Sequence, residues 1–297
     1  MNGELNASDE LAQLDFDDLT SSQAVETILA ILNHHPNWDE SRDFYLRATR
    51  WLVGVWEHDR HNFTNHRERN HWLERDVLHF AARFILKLSG SEALQISTPL
   101  IDAVDNHPKE VGDFLAELII FANHNPVDCF WEIWQALADK AVSASWTEGL
   151  GNERPFEQSF INNIFLGMDW KDDARHWRRL DGHAHRLDEV AQQLPATAPC
   201  MLAYSGFLCG IGQQSLPESF KVVGSLLKKS SAIQITSNSS ISFNLETSLR
   251  RFVYSQPHRL KSDPVLRDSI LNILDALIAG GSSSAYQMRD DFVTPIE

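Results

Sequence analysis

The chain has 297 residues, of which 43% are apolar and 23% charged, so it is long enough for one large or two ordinary globular domains. Its formal net charge of −15 argues against nucleic acid as the main partner, because phosphate binding depends on clustered Lys and Arg. No run approaches the roughly 18 apolar residues of a membrane helix, and no signal peptide is recognisable, so we expect a cytoplasmic protein with no membrane contact.

Acidic residues are concentrated at the N-terminus. Nine acidic residues and no Lys or Arg precede Arg42. Residues 1–20 are polar apart from scattered Leu and Phe, which is typical of a loosely held or partly docked segment. We therefore predict an acidic N-terminal lead-in over 1–20, a helical-repeat domain over 21–280 and a C-terminal tail over 281–297.

The first helices are predicted from capping residues and from the spacing of apolar residues. Residues 20–23 (TSSQ) have the form of a capping box and predict a helix that reaches Leu32. Further helices are predicted over 39–57 and 72–88, where large apolar residues recur every three or four positions. The polar, histidine-rich stretch 58–71 is expected to connect these two helices.

The stretch from Leu94 to Val142 shows the helical pattern most clearly. Three apolar segments with helical spacing are separated by two turns rich in Asn, His and Pro, over 106–108 and 123–126. Proline is favoured at the first position of a helix, because its missing N–H would be unbonded there anyway. The helices of this stretch are therefore predicted to begin at Pro99, Pro108 and Pro126, and each must bury its apolar face against its neighbours.

Residues 143–155 contain glycine and mark a sub-boundary within the helical domain. Beyond them, helices are predicted over 156–167, 171–193, 198–211 and 217–229. The uncharged, serine-rich stretch 230–244 is predicted to be a long loop with a short extended piece, with a small hairpin as the alternative. The last helix is predicted to begin at Asp263-Pro264 and to end at Gly280-Gly281, since glycine is common just after a helix.

These elements together predict an all-α fold with about a dozen helices. Short connections between amphipathic helices are typical of an α-solenoid or of irregular stacked helical hairpins. The segment lengths are HEAT-like, with two helices per roughly 40 residues, although no consensus sequence repeats along the chain.

Several kinds of catalytic machinery lack a sequence signature. The patterns GxxxxGK[ST], GxGxxG, GxSxG and HExxH do not occur, so nucleotide binding, serine hydrolase chemistry and zincin chemistry have no support, and no cofactor is predicted. Cys129, Cys200 and Cys209 form no CxxC pair and lie among apolar residues, where cysteines behave as small buried hydrophobes. We predict no catalytic residues.

The first candidate site is the stretch 58–71. His58-Asp59 with further histidines is typical of metal-dependent phosphohydrolases, in which His and Asp from several helices converge on a metal. The spacing fits no closed zinc pattern, and a solvated connection between helices is the simpler interpretation. A surface that docks an acidic partner is a third interpretation, because arginines make this the most basic local stretch. The partner-binding residues predicted here are His58, Arg60, His61, His66, Arg67, Arg69 and His71.

The second candidate site is the stretch 170–185. Asp172 and His176 are four positions apart and His183 follows two turns later, so the three side chains would share one helix face and could bind zinc. Asp/His and Asp/Arg pairs at this spacing are also common on exposed helices, which favours a partner surface without metal. The partner-binding residues predicted here are Trp170, Arg175, His176, Trp177, Arg178, His183 and His185.

Three segments resemble the C-terminal helical region of large bacterial STAND-type ATPases, some of which are implicated in antiphage defence. They are WKDxxRHWRxLDGHAHR at 170–186, GQQSLPESF at 212–220 and RDDF at 289–292, and the resemblance covers residues 90–297. It implies a sensor or scaffold region that binds a ligand or a partner protein. The ATPase and effector parts would lie elsewhere, because this chain lacks a phosphate-binding loop, which leaves open whether it is a fragment, a split gene product or a free-standing protein.

The sequence therefore favours a non-enzymatic scaffold or sensor module with a protein partner, such as a larger ATPase or a defence complex. A helical metal-dependent phosphohydrolase that uses the His and Asp clusters is the alternative. A third hypothesis, nucleic-acid binding through the basic stretch 58–75, is disfavoured by the overall negative charge.

Overall fold

The structure is a computed structural model that describes residues 30, 42–65, 70–124, 128–151, 153–166, 183–229 and 232–293. These ranges contain fourteen helices and no strand, which confirms the predicted all-α fold with about a dozen helices. The helices are α1 (Arg42–Asn65), α2 (Asn70–Ile85), α3 (Gly90–Asp102), α4 (Pro108–His124), α5 (Asp128–Ser143), α6 (Pro155–Ile164), α7 (Ala184–Gln193), α8 (Ala198–Gly210), α9 (Leu216–Lys229), α10 (Ala232–Thr236), α11 (Ser239–Val253), α12 (Pro257–Ser262), α13 (Pro264–Ala279) and α14 (Ser283–Val293).

The chain divides into two compact units, Met1–Lys140 (unit 1) and Ala141–Glu297 (unit 2). In unit 1, α1 packs on α2 and α3, and α2 packs on α4. Large side chains such as Trp56, Phe84 and Phe114 are fully buried between these helices. None of the helices in the described ranges combines the length and the hydropathy needed to cross a membrane.

When the short helices α10 and α12 are left out, unit 2 contains two series in which each helix packs on the next but one along the chain. Helices α6, α8, α11 and α14 contact one another in that order, and α7, α9 and α13 form the second series. Contacts of α7 with α8 and of α13 with α14 join the two series. Packing of this kind is typical of stacked helical hairpins, because each hairpin buries its apolar faces against the next one.

Capping residues explain where α13 begins and ends, as predicted from the sequence. The Asp263 carboxylate accepts a hydrogen bond from the Leu266 N–H at 3.0 Å. At the other end Gly281 has a φ of +99°, and the Ser282 N–H donates to the Leu277 carbonyl at 3.0 Å, as in a Schellman motif. Gly280 instead permits close packing, because a Cβ atom there would overlap the backbone of Thr236 on α10.

The C-terminal end of α8 is capped by a side chain from α11. The Arg251 guanidinium donates to the carbonyls of Leu208, Cys209 and Ile211 at 2.9, 2.8 and 2.7 Å. A positive charge at this end complements the helix dipole and satisfies carbonyls that have no partner within the helix.

The structure corrects the prediction that Pro99 begins a helix. Helix α3 begins at Gly90, because the Glu92 side chain accepts hydrogen bonds from the Ser89 backbone N–H at 3.4 Å and from its hydroxyl at 2.6 Å. Pro99 lies inside α3, close to its C-terminal end. Residues 89–92 (SGSE) are also where the sequence indicates that the helix over 72–88 closes and the next one starts, and this start is confirmed.

The prediction of a long loop over 230–244 is also wrong. Helices α10 and α11 occupy most of it, because the Asn238 side chain accepts from the N–H groups of Ser240 and Ile241 at 3.0 and 3.3 Å and starts α11.

Two further polar stretches are more helical than expected. Helix α1 continues to Asn65, since the stretch that follows the predicted end at 57 contains no Pro or Gly that would break it. Helix α14 lies within the segment 281–297 that was predicted as a tail, and Ala285 and Met288 on this helix are buried.

Candidate functional site

The first predicted site lies at the end of α1 and the start of α2. His58, Arg60 and His61 belong to α1, and the side chain of His58 is exposed. His71 belongs to α2, and Arg75 further along α2 is exposed. The residues of this site that lie outside the described ranges are His66, Arg67 and Arg69.

Most of the second predicted site also lies outside the described ranges. His183 immediately precedes α7, and His185 in its first turn is exposed. The remaining members, for which the structure describes nothing, are Trp170, Asp172, Arg175, His176, Trp177 and Arg178. Among the residues that are described, no three His, Cys, Asp or Glu side chains are grouped so that they could hold a metal ion.

The described ranges contain a buried carboxylate at the junction of α7, α8 and α9. Asp188 on α7 is only 6% exposed and accepts hydrogen bonds from the Tyr204 hydroxyl at 2.6 Å and from the Ser219 hydroxyl at 2.9 Å. Burial raises the pKa of Asp188 and also that of Tyr204, so each group is held towards its neutral form. Because three helices meet at this carboxyl group and it is closed off from solvent, we interpret it as a structural contact.

The three cysteines are in environments that suppress thiol reactivity. Burial raises the pKa of Cys129 and of Cys209 to about 11 and also raises that of Cys200. The Cys209 thiol donates to the Asn244 carbonyl at 3.2 Å, which ties α8 to α11. None of these thiols is expected to ionise appreciably at neutral pH.

Unit 1 contains a polar cleft of about 580 Å³ beside the C-terminal end of α3. Its lining includes Glu57, Gln95, Pro99, Asp102 and His107. The Asp102 carboxylate pairs with Lys140 at 2.8 Å, so one of the two carboxylates in the lining already has a charged partner.

Exposed large apolar side chains are concentrated in unit 2. Among the described residues seven such side chains are exposed, and five of them fall between positions 233 and 286. Single exposed apolar residues are normal, so an interaction surface has to be argued from residues that share one face. The five are Ile233, Phe243, Tyr254, Val265 and Tyr286.

Two of these aromatic residues flank one face of α11. Phe243 is 61% exposed and Tyr254, which directly follows the helix, is 60% exposed. Thr247 and Arg250 lie between them at spacings of four, three and four residues, so all four positions share one helix face. We call Phe243, Thr247, Arg250 and Tyr254 the α11 stripe, and it extends about 16 Å at the helical rise per residue.

The part of the chain that contains this stripe is basic. Residues 216–267 hold eight Lys and Arg and three acidic residues, whereas the whole chain has a formal net charge of −15. Arg250 lies within the stripe, and the exposed His258 and Lys261 follow it on α12. The basic residues are Lys221, Lys228, Lys229, Arg250, Arg251, Arg259, Lys261 and Arg267.

The α11 stripe was not predicted from the sequence, although part of its pattern is visible there. The spacing of 243, 247, 250 and 254 and the local excess of Lys and Arg can be read from the sequence. Because the first part of α11 was predicted to be loop, the shared face was not recognised. Exposure of the two aromatic rings required the structure.

No protein-family model and no curated protein matches this chain. Its function is therefore inferred from the surfaces and contacts of the described residues.

Proposed function

We propose that the chain is a non-enzymatic helical-repeat scaffold or sensor module that binds another protein. The observation that carries this proposal is the exposed α11 stripe, with an aromatic ring at each end, on a unit that exposes several further apolar side chains. Aromatic and arginine side chains supply much of the binding energy at protein interfaces. A surface with both types on one helix face is suited to that role.

The packing in unit 2 supports a HEAT-like, α-solenoid type of scaffold. Apart from the short α10 and α12, each helix contacts the next but one along the chain, as expected for a unit built from successive hairpins. In repeat proteins of this kind a row of parallel helices presents side chains from successive repeats to one partner. The resemblance of three segments to STAND-type ATPases suggests the partner, which would be a larger ATPase or a defence complex.

The proposal is tested by affinity purification of the full chain from its native host. A Phe243→Ser and Tyr254→Ser double variant removes both exposed rings of the stripe. We expect one protein to co-purify in stoichiometric amount with the wild-type chain and to be lost with this variant. The matched control, Ile120→Ser with Phe156→Ser, removes two apolar side chains that are similarly exposed elsewhere and should retain the partner.

Three results contradict the proposal. The first is that no protein co-purifies in stoichiometric amount, and the second is that the stripe variant retains the partner while the control variant loses it. The third comes from metal analysis of the same preparation, since stoichiometric zinc, iron or manganese would favour the metal-dependent phosphohydrolase. Thermal unfolding of both variants shows whether each remains folded.

A further inference from the structure

The charge of the α11 stripe narrows the chemistry of its partner. Arg250 on the stripe donates a hydrogen bond to the hydroxyl of Ser284 on α14 at 2.7 Å. A neutral acceptor holds the guanidinium in place without neutralising it. Beyond Tyr254 in the sequence, the short helix α12 carries the exposed Lys261.

The three acidic residues within 216–267 have defined partners. Glu246, one turn before Arg250, accepts a hydrogen bond from the Ser282 hydroxyl. Asp263 accepts from the Leu266 N–H and pairs with Lys221 at 2.9 Å, and these two contacts keep its pKa below the ordinary value. Lys221 also pairs with Glu218 at 2.9 Å, and the Ser282 hydroxyl adds no positive charge beside Glu246. The eight Lys and Arg of residues 216–267 still outnumber these three acidic residues, so this part of the chain keeps an excess of positive charge.

We infer that the α11 stripe, together with Lys261 on α12, binds an acidic polypeptide segment that also carries aromatic or aliphatic side chains. Carboxylates of the segment would pair with Arg250 and Lys261, and its apolar side chains would pack on Phe243 and Tyr254. The stripe of about 16 Å matches about five residues of extended peptide or three turns of helix. This inference rests on the proposed function, whose partner it describes by charge and hydrophobicity.

An acidic polypeptide fits this surface better than a nucleic acid does. A nucleic acid carries one charge per phosphate, and its affinity depends on many Lys and Arg contacts. Here the net charge of −15 on the whole chain opposes a long polyanion. A short segment with a few carboxylates and apolar anchors meets only the local surface, where Arg250 lies between two aromatic rings.

Peptide selection tests the inference without knowledge of the natural partner. Random peptides of about 16 residues, long enough to span the stripe in a helical or extended form, are displayed on phage and selected on the full chain. The selected pool is depleted on an Arg250→Gln and Lys261→Gln double variant. We expect enriched sequences that are rich in Asp and Glu and contain aromatic or aliphatic residues.

An enriched peptide, labelled with a fluorophore, is then titrated with three proteins. The double variant should bind about tenfold more weakly than the wild type, as expected for the loss of two charge-assisted contacts. Lys261→Gln alone, which leaves the contact to Ser284 intact, should weaken binding about threefold. The matched control, Arg47→Gln with Arg50→Gln on exposed positions of α1, changes the net charge equally and should change affinity less than about twofold.

The inference is overturned if no peptide is enriched, if enriched peptides are not acidic, or if the control variant weakens binding as much as the stripe variant. It is also overturned if single-stranded thymidine oligonucleotide binds the wild type more tightly than any peptide and is released by the stripe variant. If non-acidic peptides are enriched and bind the Phe243→Ser variant more weakly, the inference about charge is wrong but the proposed function is still supported. Acidic peptides that bind as expected, with no partner in the host, contradict the proposed function alone.

Discussion

Tyr204→Phe removes one hydroxyl group from the interior of unit 2 and leaves the ring in place. Tyr204 is 1% exposed, and its ring centroid lies 5.4 Å from that of Phe165 and 6.3 Å from that of Phe207. These ring contacts do not involve the hydroxyl, so the apolar packing should be retained. The lost contact is the 2.6 Å hydrogen bond to the Asp188 carboxyl group.

The expected cost follows from the burial of Asp188. A hydrogen bond to a charged group typically contributes about 1.5–3 kcal/mol, and a neutral one about 1 kcal/mol. Asp188 is almost fully buried and would keep only the Ser219 hydroxyl as a donor in the variant. We therefore expect the free energy of unfolding to fall by about 1–3 kcal/mol, the range for a buried polar group that loses one partner.

Urea unfolding followed by circular dichroism measures this loss. Tyr286→Phe is the matched control, because Tyr286 is 59% exposed and its variant should stay within about 0.5 kcal/mol of the wild type. Ser219→Ala removes the second donor to the same carboxyl group, so the two losses should not add in the double variant. If Tyr204→Phe stays within about 0.5 kcal/mol of the wild type, Asp188 does not hold the three helices as described.

Four further predictions follow, two on titration, one on backbone conformation and one on capping. Burial raises the pKa of Asp188 in the folded chain above its ordinary 3.8, so the folded chain holds a proton that the unfolded chain releases. The contribution of Asp188 to stability therefore falls as pH rises above 3.8, by at most about 1.4 kcal/mol per pH unit. Asp188→Asn should abolish this slope when the free energy of unfolding is measured across pH. The pKa of Glu92 is lowered from 4.5 to about 2, mainly by Arg42, so its contribution to stability is present above pH 4.5 and is lost as pH falls towards 2. Glu92→Gln should remove this dependence. If the loss of stability between pH 4.5 and 2 is the same in the variant, the pairing with Arg42 is contradicted. Gly281→Ala, at a φ of +99°, should lower the free energy of unfolding in urea by about 1 kcal/mol, whereas no loss would mean that the turn relaxes. Arg251→Lys should cost about 1–3 kcal/mol in the same assay, because one ammonium group cannot serve three carbonyls at the end of α8, and an effect below about 0.5 kcal/mol would contradict this capping role.

Elements whose ends are set by local chemistry could be predicted from the sequence. Helix α13 begins after the Asp263 cap and ends at the two glycines, as predicted, because capping depends on residues within one turn. Helix α10 was missed since its five residues are too few for a helical pattern. It is held by a distant contact, in which the Thr236 hydroxyl donates to the Ala276 carbonyl at 2.8 Å.

The functional surface was less accessible to sequence reasoning than the fold. Asp188 receives its hydrogen bonds from residues 16 and 31 positions further along the chain, and no local pattern predicts such a meeting. The periodicity of the α11 stripe is local, but the same periodicity on other helices marks a buried face. Phe243 and Phe252 lie on the same helix, one exposed and one buried, and only the packing of neighbouring helices distinguishes them.

Photo-crosslinking from position 254 tests the central claim most directly. The full chain is expressed in its native host with p-benzoylphenylalanine in place of Tyr254, and cross-linked peptides are sequenced by mass spectrometry. We expect cross-links to one segment of another protein, and we expect that segment to be rich in Asp and Glu. These cross-links should be lost when Arg250→Gln and Lys261→Gln are added. Absence of a protein cross-link, or cross-linking to nucleic acid in its place, would contradict the central claim.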